Sequence, residues 1–529
     1  MKKYLLTLSL LSLTISLFAQ SVNPNPWVIS PDTSAEVTYT NPIIPGFYSD
    51  PSVCRVGEDY YLITSTFEFF PGVPIFHSKD LVNWEQIGHC IHRKGQIPEN
   101  LNTFAATLRY HEGTFYMITT NIAEGGNFYV TATDPAGPWS DPIWIDIDAI
   151  DPDLFFDNDG RAYVVSSTFE LSEIDLATGA LTGEKRKVWN GTGGRYPEAP
   201  HIYKKDGFYY MIASEGGTEE AHSITVARSN SIWGPYIDNP ANPIVAHANV
   251  AGMGKAIQGV GHGDFVQAHD GSWWVVFHGY RSVTGYPPHH TLGRETCLAP
   301  ISWPKGGWPV VNGNGSITED MTCPTLPQQP FAPRPVRTTF EDSQLGLEWN
   351  FIQPPNDENF ELNPQQGTLT LRGSDLKIGE GSSPSFLGRR LTDIHFSATT
   401  RLTFDPKKDN EEAGLILVNN GSHFDLMVST RNGKRYAFVR LQFGQTIYES
   451  DRIELKKGAV DLRIEGNGPE FIFSTRQNGD DFQIIEKADA RFLSTETVGW
   501  FTGVYIGLYA TGNGTPSRSE AHFDWFEYD

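Results

Sequence analysis

Five segments of this chain repeat one pattern, and this repeat limits the possible folds more than any other feature of the sequence. Each segment begins with a polar or small residue and continues as a short apolar strand, a turn that contains glycine, and an aromatic and aliphatic strand. This pattern predicts five β-hairpins, which begin at Asp50, Ala105, Asp151, Glu198 and His262. Because the segments recur about every fifty residues with almost no helical periodicity between them, they predict a five-bladed β-propeller.

The repeat also predicts which residues meet at one end of the propeller axis. In a propeller the innermost strand of each blade lines the axis, so the residues that begin these strands lie close together. Asp50, Asp151, Glu198 and His262 hold this position in four of the hairpins, and we expect them to converge. Ala105 occupies the equivalent position in the second blade, where its small, uncharged side chain shapes the wall of the pocket without adding charge.

The C-terminal part of the chain differs from the repeat. A proline-rich stretch, "CPTLPQQPFAPRPV", indicates a stiff and extended linker. Short segments with period-2 alternation follow it and predict an antiparallel β-sandwich. We therefore expect a propeller over residues 21–324, a linker over 325–337 and a sandwich over 338–529, which makes the protein all-β.

The N-terminal stretch "MKKYLLTLSLLSLTISLFAQ" has two lysines, an apolar run and small residues near its end. This arrangement predicts a secretory signal peptide over residues 1–20. The mature protein is then exported, either to a periplasm or out of the cell, and no later apolar run is long enough for membrane insertion.

The charge of the chain limits its partners. The net charge of −23 repels nucleic acid and anionic membranes, so a neutral, sugar-like substrate fits better. The sequence leaves the oligomeric state open.

Three carboxylates around one pocket indicate glycoside hydrolysis. This reaction uses one protonated carboxyl at the glycosidic oxygen and one ionised carboxylate for the attacking water. A third carboxylate can hold the pKa of the acid up by like-charge repulsion. Alternatively, Asp50 and Asp151 end strands as turn formers, since proline follows each of them. Three carboxylates in register at one end of one axis favour the catalytic interpretation.

Several motifs of the chain resemble those of glycoside hydrolase family 43, specifically its two-domain β-xylosidase and α-L-arabinofuranosidase branch. The resemblance covers nearly the whole mature chain and is carried by "NPIIPGFYSDPSVCRVGEDYYLITSTFEFFPGVPIFHSKDLVNW", "AIDPDLFF", "RYPEAPHIY", "SEGGTEEAHSITVARS" and "TLGRETCLAP". It implies an inverting, exo-acting enzyme in which a five-bladed propeller is followed by a concanavalin-like β-sandwich. The segment "GWFTGVYIGLYATGNG" resembles the part of the sandwich that approaches the pocket and narrows it.

The resemblance also implies roles for individual residues. Asp50 in "YSDPSV" corresponds to the general base, Asp151 in "AIDPDL" to the residue that adjusts the pKa of the acid, and Glu198 in "YPEAPH" to the general acid. His262 and Arg294 match positions that line the subsite for the terminal sugar. No cofactor is expected to be required, although a structural calcium ion near His262 is one possibility that the family offers.

Further substrate contacts are expected from aromatic and loop residues. Phe67, Phe69 and Phe70 in "STFEFFPGV" resemble residues that wall the sugar pocket, where an apolar ring covers the C–H face of a sugar. Glu215 and Thr218 in "SEGGTEEAHS" are candidates at the rim of the pocket.

Two departures from the family pattern bear on specificity. The chain has Phe104, Ala105, Ala106 and Thr107 where β-xylosidases of this branch commonly have Trp-Ala-Pro-Asp, so Phe104 belongs to a smaller wall. Asp153 stands where a small residue is common and adds a negative charge near the pocket.

These observations favour an exo-glycosidase that releases terminal non-reducing α-L-arabinofuranosyl residues from plant hemicellulose side chains. A β-D-xylosidase acting on xylo-oligosaccharides, or an enzyme with both activities, is the alternative. A sugar-binding propeller without catalysis and a structural surface protein are more distant alternatives, because neither needs the three carboxylates. The sequence does not identify the parent polysaccharide.

Overall fold

Antiparallel strands account for nearly all of the secondary structure, as the hairpin repeat predicts. The computed structural model describes residues 38–98, 100–248, 254–285, 287–323, 325–380 and 383–529, so the predicted signal peptide lies outside the described residues. Within these ranges the helices are a 3-10 turn, Ala490–Leu493, and one short α-helix, Thr495–Val498. No helix among the described residues is long and apolar enough to cross a membrane.

Five separate antiparallel sheets follow one another along the chain and confirm the predicted five-bladed propeller. Each of the five predicted hairpins forms the first two strands of a sheet. The strands of blade 1 are Ser52–Val56, Asp59–Ile63, Gly72–Ser78 and Glu85–Ile91. Those of blade 2 are Thr107–His111, Thr114–Asn121, Gly126–Ala132 and Ile143–Ile145. Those of blade 3 are Asp153–Phe156, Ala162–Val165, Glu170–Ile174 and Leu181–Lys187.

The last two blades have the same plan. Blade 4 contains Glu198–Lys205, Phe208–Glu215, Ser223–Ser229, Ile237–Asp238 and Val245–Ala246. Blade 5 contains Ile257–Gln267, Trp273–Arg281, Glu295–Ser302 and Val310–Val311. A short pair, Tyr39–Thr40 with Asp320–Met321, joins the two ends of the propeller region.

Two larger antiparallel sheets form the C-terminal sandwich that the alternating segments predict. The strands of the first sheet, in the order in which they pair, are Phe360–Asn363, Thr368–Arg372, Glu520–Tyr528, His395–Phe404, Val460–Asn467, Glu470–Arg476 and Gln483–Asp489. The short strand Arg337–Thr338 also pairs with Glu520–Tyr528. The strands of the second sheet, in the same manner, are Ser385–Arg390, Tyr505–Thr511, Glu412–Asn419, Ser422–Arg431, Lys434–Phe443 and Thr446–Glu449. The short strand Ile453–Leu455 also pairs with Lys434–Phe443.

The second sheet of the sandwich is buried on both faces. Successive side chains of a strand point to opposite faces, so the two faces of Glu412–Asn419 can be followed separately. Leu415 and Leu417 pack in the core between the two sheets of the sandwich. Ile416 and Val418 pack on the other side in a cluster that includes Phe47 of the propeller region. The two domains therefore share a continuous apolar interface.

A direct strand pair reinforces this interface. Phe69–Phe70 of the propeller pairs with Phe351–Ile352 of the sandwich. The ring of Phe69 stacks on Tyr505 with centroids 3.7 Å apart. Apolar surface removed from water stabilises the domain pair, and the position of the sandwich relative to the propeller is fixed.

Candidate active site

A pocket of about 460 Å³ opens where the inner strands of the propeller begin. The residues that the sequence predicts to converge, Asp50, Ala105, Asp151, Glu198 and His262, all line it. Arg294, Phe67, Phe104 and Thr218 line it as well, which places these predicted contact residues at the same pocket. The volume suits one or two sugar units rather than a polymer chain.

Three of these converging pocket residues, and Ala199 next to Glu198, have a positive φ angle. The φ angles of Asp50, Asp151 and His262 are 54°, 56° and 50°, and that of Ala199 is 50°. Residues with a side chain seldom adopt positive φ, and such strain persists only where the surrounding structure holds it. Blades 1, 3 and 5 thus repeat this conformation at the residue that lines the pocket, and blade 4 has it one residue later, at Ala199.

Asp50 lies at the bottom of the pocket in a dense set of hydrogen-bond donors. Arg294 Nη1 is 2.8 Å from Asp50 Oδ1, and His278 Nδ1 is 3.0 Å from the same oxygen. Ser65 Oγ donates to Oδ2 at 2.6 Å, and Ser49 Oγ does so at 2.9 Å. Burial opposes ionisation, but Arg294 and the histidines outweigh it and hold the pKa of Asp50 well below its usual value. Asp50 is therefore a carboxylate at neutral pH, as a base requires.

Asp151 and Glu198 lie together at the pocket with His262, whose Nδ1 is 3.8 Å from Glu198 Oε1 and 3.5 Å from Asp50 Oδ1. Burial, together with the charges of Glu198 and Asp50, raises the pKa of Asp151 to about 7 against the opposing effect of His262. Burial also raises the pKa of Glu198, but His222 and His262 outweigh it and hold this pKa below its usual value. Burial lowers the pKa of His262, yet the charge of Asp50 and the hydrogen bond to Glu198 raise it to about 9. The carboxylate oxygens of Asp151 and Glu198 come within 4.8 Å of each other, so the two groups titrate as a pair.

Aromatic rings from both domains form the apolar wall of the pocket. Phe67 packs against Phe104 with ring centroids 4.9 Å apart and against Phe501 at 5.8 Å. Phe501 belongs to the sandwich, and its carbonyl accepts a hydrogen bond from Arg294 Nη2 at 3.4 Å. The sandwich therefore narrows the pocket, as predicted for the segment "GWFTGVYIGLYATGNG", which contains Phe501. A flat apolar ring beside polar groups is typical of a sugar site.

A buried ion cluster, which we call the axial cluster, lies further along the inner strands. It comprises Ser52, Arg109, Asp153, Tyr203 and Asp264, one residue from each blade. Arg109 lies 2.9 Å from the Asp153 carboxylate and 2.7 Å from that of Asp264. Ser52 Oγ and Tyr203 OH donate to Asp264 at 2.6 and 2.5 Å. The axial cluster thus ties together the five strands that carry the pocket residues.

Four sequence-based expectations differ from the structure. Asp153 does not add charge to the pocket, because its buried carboxylate pairs with Arg109. Phe69 and Phe70 do not line the pocket. Phe69 is buried against Tyr505, and Phe70 packs in the core between the domains, beside Phe351. Glu215 is buried and accepts hydrogen bonds from the Thr192 and Gly194 backbone N–H groups, both at 2.6 Å, so it holds a loop instead of contacting substrate.

Two histidines that sequence reasoning missed lie directly behind the carboxylates. His278 contacts Asp50, and His222 Nε2 is 3.2 Å from Glu198 Oε1. Both rings are fully buried. Neither histidine begins a hairpin, so the repeat gives no signal for them.

The predicted calcium ion near His262 finds a poor set of ligands. Two groups, Asp50 with His262 and His278, and Asp151 with Glu198 and His262, each bring their ligand atoms within 4.8 Å of one another. Calcium prefers six to eight oxygen ligands, whereas each group contains at least one histidine. Arg294 Nη1 also pairs with Asp50 Oδ1 at 2.8 Å, which already compensates the charge of that carboxylate. The donors do not fit calcium, and no step below uses a metal.

Comparison with known families agrees with this geometry. A family model described as "Glycosyl hydrolases family 43" matches residues 39–309, more than half of the chain. The chain belongs to glycoside hydrolase family 43. A second model, described as "Beta xylosidase C-terminal Concanavalin A-like domain", matches residues 337–529 and confirms the predicted concanavalin-like sandwich.

Characterised relatives within family 43 extend over nearly the whole chain. A "Non-reducing end alpha-L-arabinofuranosidase" of Bacteroides ovatus is 43% identical over 93% of this chain and 95% of its own length. A "Xylosidase/arabinosidase" of Butyrivibrio fibrisolvens is 37% identical over 93% of this chain and 99% of its own. The protein is therefore a glycoside hydrolase.

Solved family 43 structures share both domains. A structure described as "Bacteroides ovatus Xyloglucan PUL GH43B" superposes with a TM-score of 0.89 at 41% identity and covers 93% of this chain and 99% of its own. A xylan beta-1,4-xylosidase from Bacillus halodurans gives a TM-score of 0.86 at 33% identity over 93% and 100%. The arrangement of propeller and sandwich is thus that of two-domain family 43 enzymes.

Proposed function

We propose that the protein is an exo-acting, inverting glycoside hydrolase that releases terminal non-reducing α-L-arabinofuranosyl residues from plant hemicellulose side chains. The observation that carries this proposal is a short pocket that holds an ionised Asp50 and the pair Asp151 and Glu198, with Phe501 of the sandwich closing the wall. A pocket of this volume takes one or two sugar units at the end of a chain, as an exo-acting enzyme requires.

The proposed reaction is a single displacement. A water molecule held by Asp50 attacks the anomeric carbon while its proton passes to Asp50. The bond from that carbon to the leaving oxygen breaks, and Glu198 donates the proton that this oxygen needs. Asp151 titrates as a pair with Glu198 and adjusts the pKa of this acid. Each turnover thus leaves Asp50 protonated and Glu198 ionised.

His262, Arg294 and Thr218 are proposed to orient the sugar. Arg294 Nη1 donates to Thr218 Oγ1 at 3.0 Å, so the hydroxyl is fixed at the pocket rim. Phe67 and Phe104 present apolar faces to the C–H surface of the ring. The contacts above support these roles.

The choice of α-L-arabinofuranose is supported by the name of the relative from Bacteroides ovatus and by the Phe104 wall. Relatives named xylosidase/arabinosidase support β-D-xylosidase or dual activity as the second candidate. The solved structure described as "Bacteroides ovatus Xyloglucan PUL GH43B" supports an arabinosylated hemicellulose as the parent polymer.

We also propose that the enzyme is exported and works in a periplasm or outside the cell. The support is the pattern of residues 1–20, with two lysines followed by an apolar run. An oligosaccharide or polysaccharide side chain is then the only partner that the reaction requires.

The experiment that tests the substrate is the ratio of kcat/KM for 4-nitrophenyl α-L-arabinofuranoside to that for 4-nitrophenyl β-D-xylopyranoside. We expect a ratio above one for the purified mature chain. Asp50→Asn, purified in the same way, is the control for contaminating glycosidases and should be inactive on both. A ratio well below one would replace the arabinofuranosidase proposal with the xylosidase.

A further inference from the structure

The ring of Tyr196 lies at the mouth of the catalytic pocket, two residues before the proposed acid Glu198. Tyr196 is 67% exposed, the largest exposed fraction of any phenylalanine, tyrosine or tryptophan among the described residues. We propose that Tyr196 is a platform for the pyranose ring of the leaving group, the sugar that stays on the polymer when the terminal pentose is released. This inference rests on the proposed hydrolase reaction.

The proposed reaction places the leaving group beside Tyr196. Glu198 donates its proton to the glycosidic oxygen, so the sugar that keeps this oxygen lies next to Glu198 and its neighbours in the chain. Tyr196 and Pro197 line the pocket together with Glu198. The side chain of Glu198 is 20% exposed and that of Asp50 only 4%, so the acid lies nearer the mouth than the base does. Because water and leaving group occupy opposite faces of the anomeric carbon, the leaving group points toward the mouth and Tyr196.

The backbone of Tyr196 is held in a strained conformation. Its φ angle is 50°, in a region that residues with a side chain seldom adopt. Such strain persists only where the surrounding structure holds it, and it is concentrated at binding and catalytic sites. Exposed apolar side chains are common on protein surfaces, but a strained aromatic residue at the edge of a catalytic pocket indicates that the direction of its ring matters.

Arg195 fixes the ring of Tyr196 from one side. Arg195 Cζ lies 5.0 Å from the centroid of the Tyr196 ring. The guanidinium also pairs with Glu219 and donates to the Gly216 carbonyl at 3.1 Å. An exposed ion pair adds little to stability, so the main effect of Glu219 is to keep Arg195 against the ring. With Arg195 on one face, a ring that is still largely exposed offers its other face to a ligand.

The loop that carries Tyr196 is anchored from below by Glu215. The Glu215 carboxylate accepts hydrogen bonds from the backbone N–H groups of Thr192 and Gly194, both at 2.6 Å. Gly217 lets the two loops approach closely, since an added Cβ there would lie 3.3 Å from Tyr196 Cδ2. The ring is therefore ordered before a substrate arrives, which lowers the entropic cost of binding.

A pyranose fits this platform by its chemistry. The C–H groups of a pyranose form a flat apolar face that packs on an aromatic ring, while its hydroxyl groups remain in water. The backbone sugars of hemicelluloses are pyranoses, in agreement with the proposed parent polymer. The pocket volume of about 460 Å³ has room for this second unit beside the terminal pentose. The platform predicts that the enzyme distinguishes a sugar leaving group from a small alcohol.

The test compares Tyr196→Ala with the wild type on two substrates whose alcohol leaving groups both need the proton of Glu198. One is an arabinofuranosyl xylo-oligosaccharide, whose leaving group is a xylopyranosyl unit. The other is methyl α-L-arabinofuranoside, whose methanol is too small to reach Tyr196. We expect kcat/KM to fall about tenfold on the oligosaccharide, chiefly through KM, and to change less than about twofold on the methyl glycoside. If the enzyme prefers β-D-xylose, the corresponding xylosides replace both substrates.

Two further variants complete the comparison. Tyr196→Phe keeps the ring and should retain kcat/KM within about twofold of the wild type on both substrates. Tyr448→Ala is the matched control, because Tyr448 is 49% exposed on the sandwich, where its hydroxyl donates to Glu486 Oε2 at 2.7 Å. Tyr448 does not line the catalytic pocket, so its removal should leave kcat/KM unchanged on both substrates.

Three outcomes would overturn the platform while the enzyme remains active. In the first, Tyr196→Ala keeps the wild-type kcat/KM on the oligosaccharide. In the second, Tyr196→Ala loses the same factor on both substrates, as for a ring that supports the pocket and not the leaving group. In the third, Tyr196→Phe loses as much as Tyr196→Ala, which would assign the effect to the hydroxyl. A wild type that hydrolyses neither the arabinosides nor the xylosides would instead refute the proposed function, and the platform with it.

Discussion

The axial cluster gives the sharpest prediction about the scaffold of the site. Arg109→Met removes the guanidinium that Asp153 and Asp264 share, and both of these carboxylates have fully buried side chains. Removal of one partner of a buried ion pair costs about 3–5 kcal/mol, because a charge stays buried without compensation. Two carboxylates lose their partner here, so we expect a loss near the upper end, about 5 kcal/mol.

The pH dependence identifies the cause of this loss. Burial raises the pKa of Asp264, but Arg109 and His201 outweigh it and hold that pKa below its usual value. In the wild type the Asp264 carboxylate therefore contributes stability above its unfolded pKa, and this contribution is lost as the pH falls through the folded pKa. Without Arg109 the pKa of Asp264 rises above its usual value. The deficit of the variant should be largest at neutral pH and should shrink toward about pH 4.

The assay is urea unfolding at pH 7.5 and at pH 5, with Arg161→Met as control. Arg161 pairs with Asp159 at the surface, with side chains 49% and 41% exposed, so its loss should change stability little. The reasoning would be refuted if Arg109→Met stayed within about 1 kcal/mol of the wild type at pH 7.5, or if its deficit were the same at both pH values.

Three further changes probe the pocket itself. Phe501→Ala removes the sandwich ring from the pocket wall, so KM for the preferred pentoside should rise roughly tenfold with a smaller change in kcat; an unchanged KM would show that the sandwich does not contact the sugar. Glu215→Ala leaves the N–H groups of the 192–194 loop and the buried Thr225 hydroxyl without their acceptor and should cost about 1–3 kcal/mol in thermal unfolding. No loss would mean that water replaces the carboxylate. Ser65→Ala removes a hydrogen-bond donor to Asp50 and so raises the pKa of that carboxylate. The acidic limb of the pH profile of kcat/KM should therefore move to higher pH. An unchanged limb would show that the limb does not report the ionisation of Asp50.

The repeat predicts much of the fold and the site because equivalent positions in a propeller meet at the axis. Asp50, Asp151, Glu198 and His262 converge at the pocket as their register requires. The same pattern does not predict His278, which lies on the second strand of its blade and has no equivalent in the other hairpins. Its role depends on contacts between blades, which no local pattern encodes.

Interpretation of single residues fails for a similar reason. Asp153 has the type and spacing of a pocket residue, but its carboxylate is neutralised by Arg109 from the neighbouring blade. Phe70 has the type of a sugar-binding ring, but its strand pairs with the sandwich. In both cases the partner is distant in sequence, so the residue alone does not reveal whether it faces the substrate or the core.

The assignment of Asp50 as base and Glu198 as acid is tested most directly by kcat/KM of Asp50→Asn and Glu198→Gln on two substrates. The first is 4-nitrophenyl α-L-arabinofuranoside, whose leaving group departs without a proton, and the second is an arabinofuranosyl oligosaccharide, whose leaving group needs one. We expect Asp50→Asn to lose activity on both, and Glu198→Gln to lose about 10²–10⁴-fold on the oligosaccharide but far less on the nitrophenyl glycoside. Equal losses for Glu198→Gln on both substrates, or an active Asp50→Asn, would contradict the assignment.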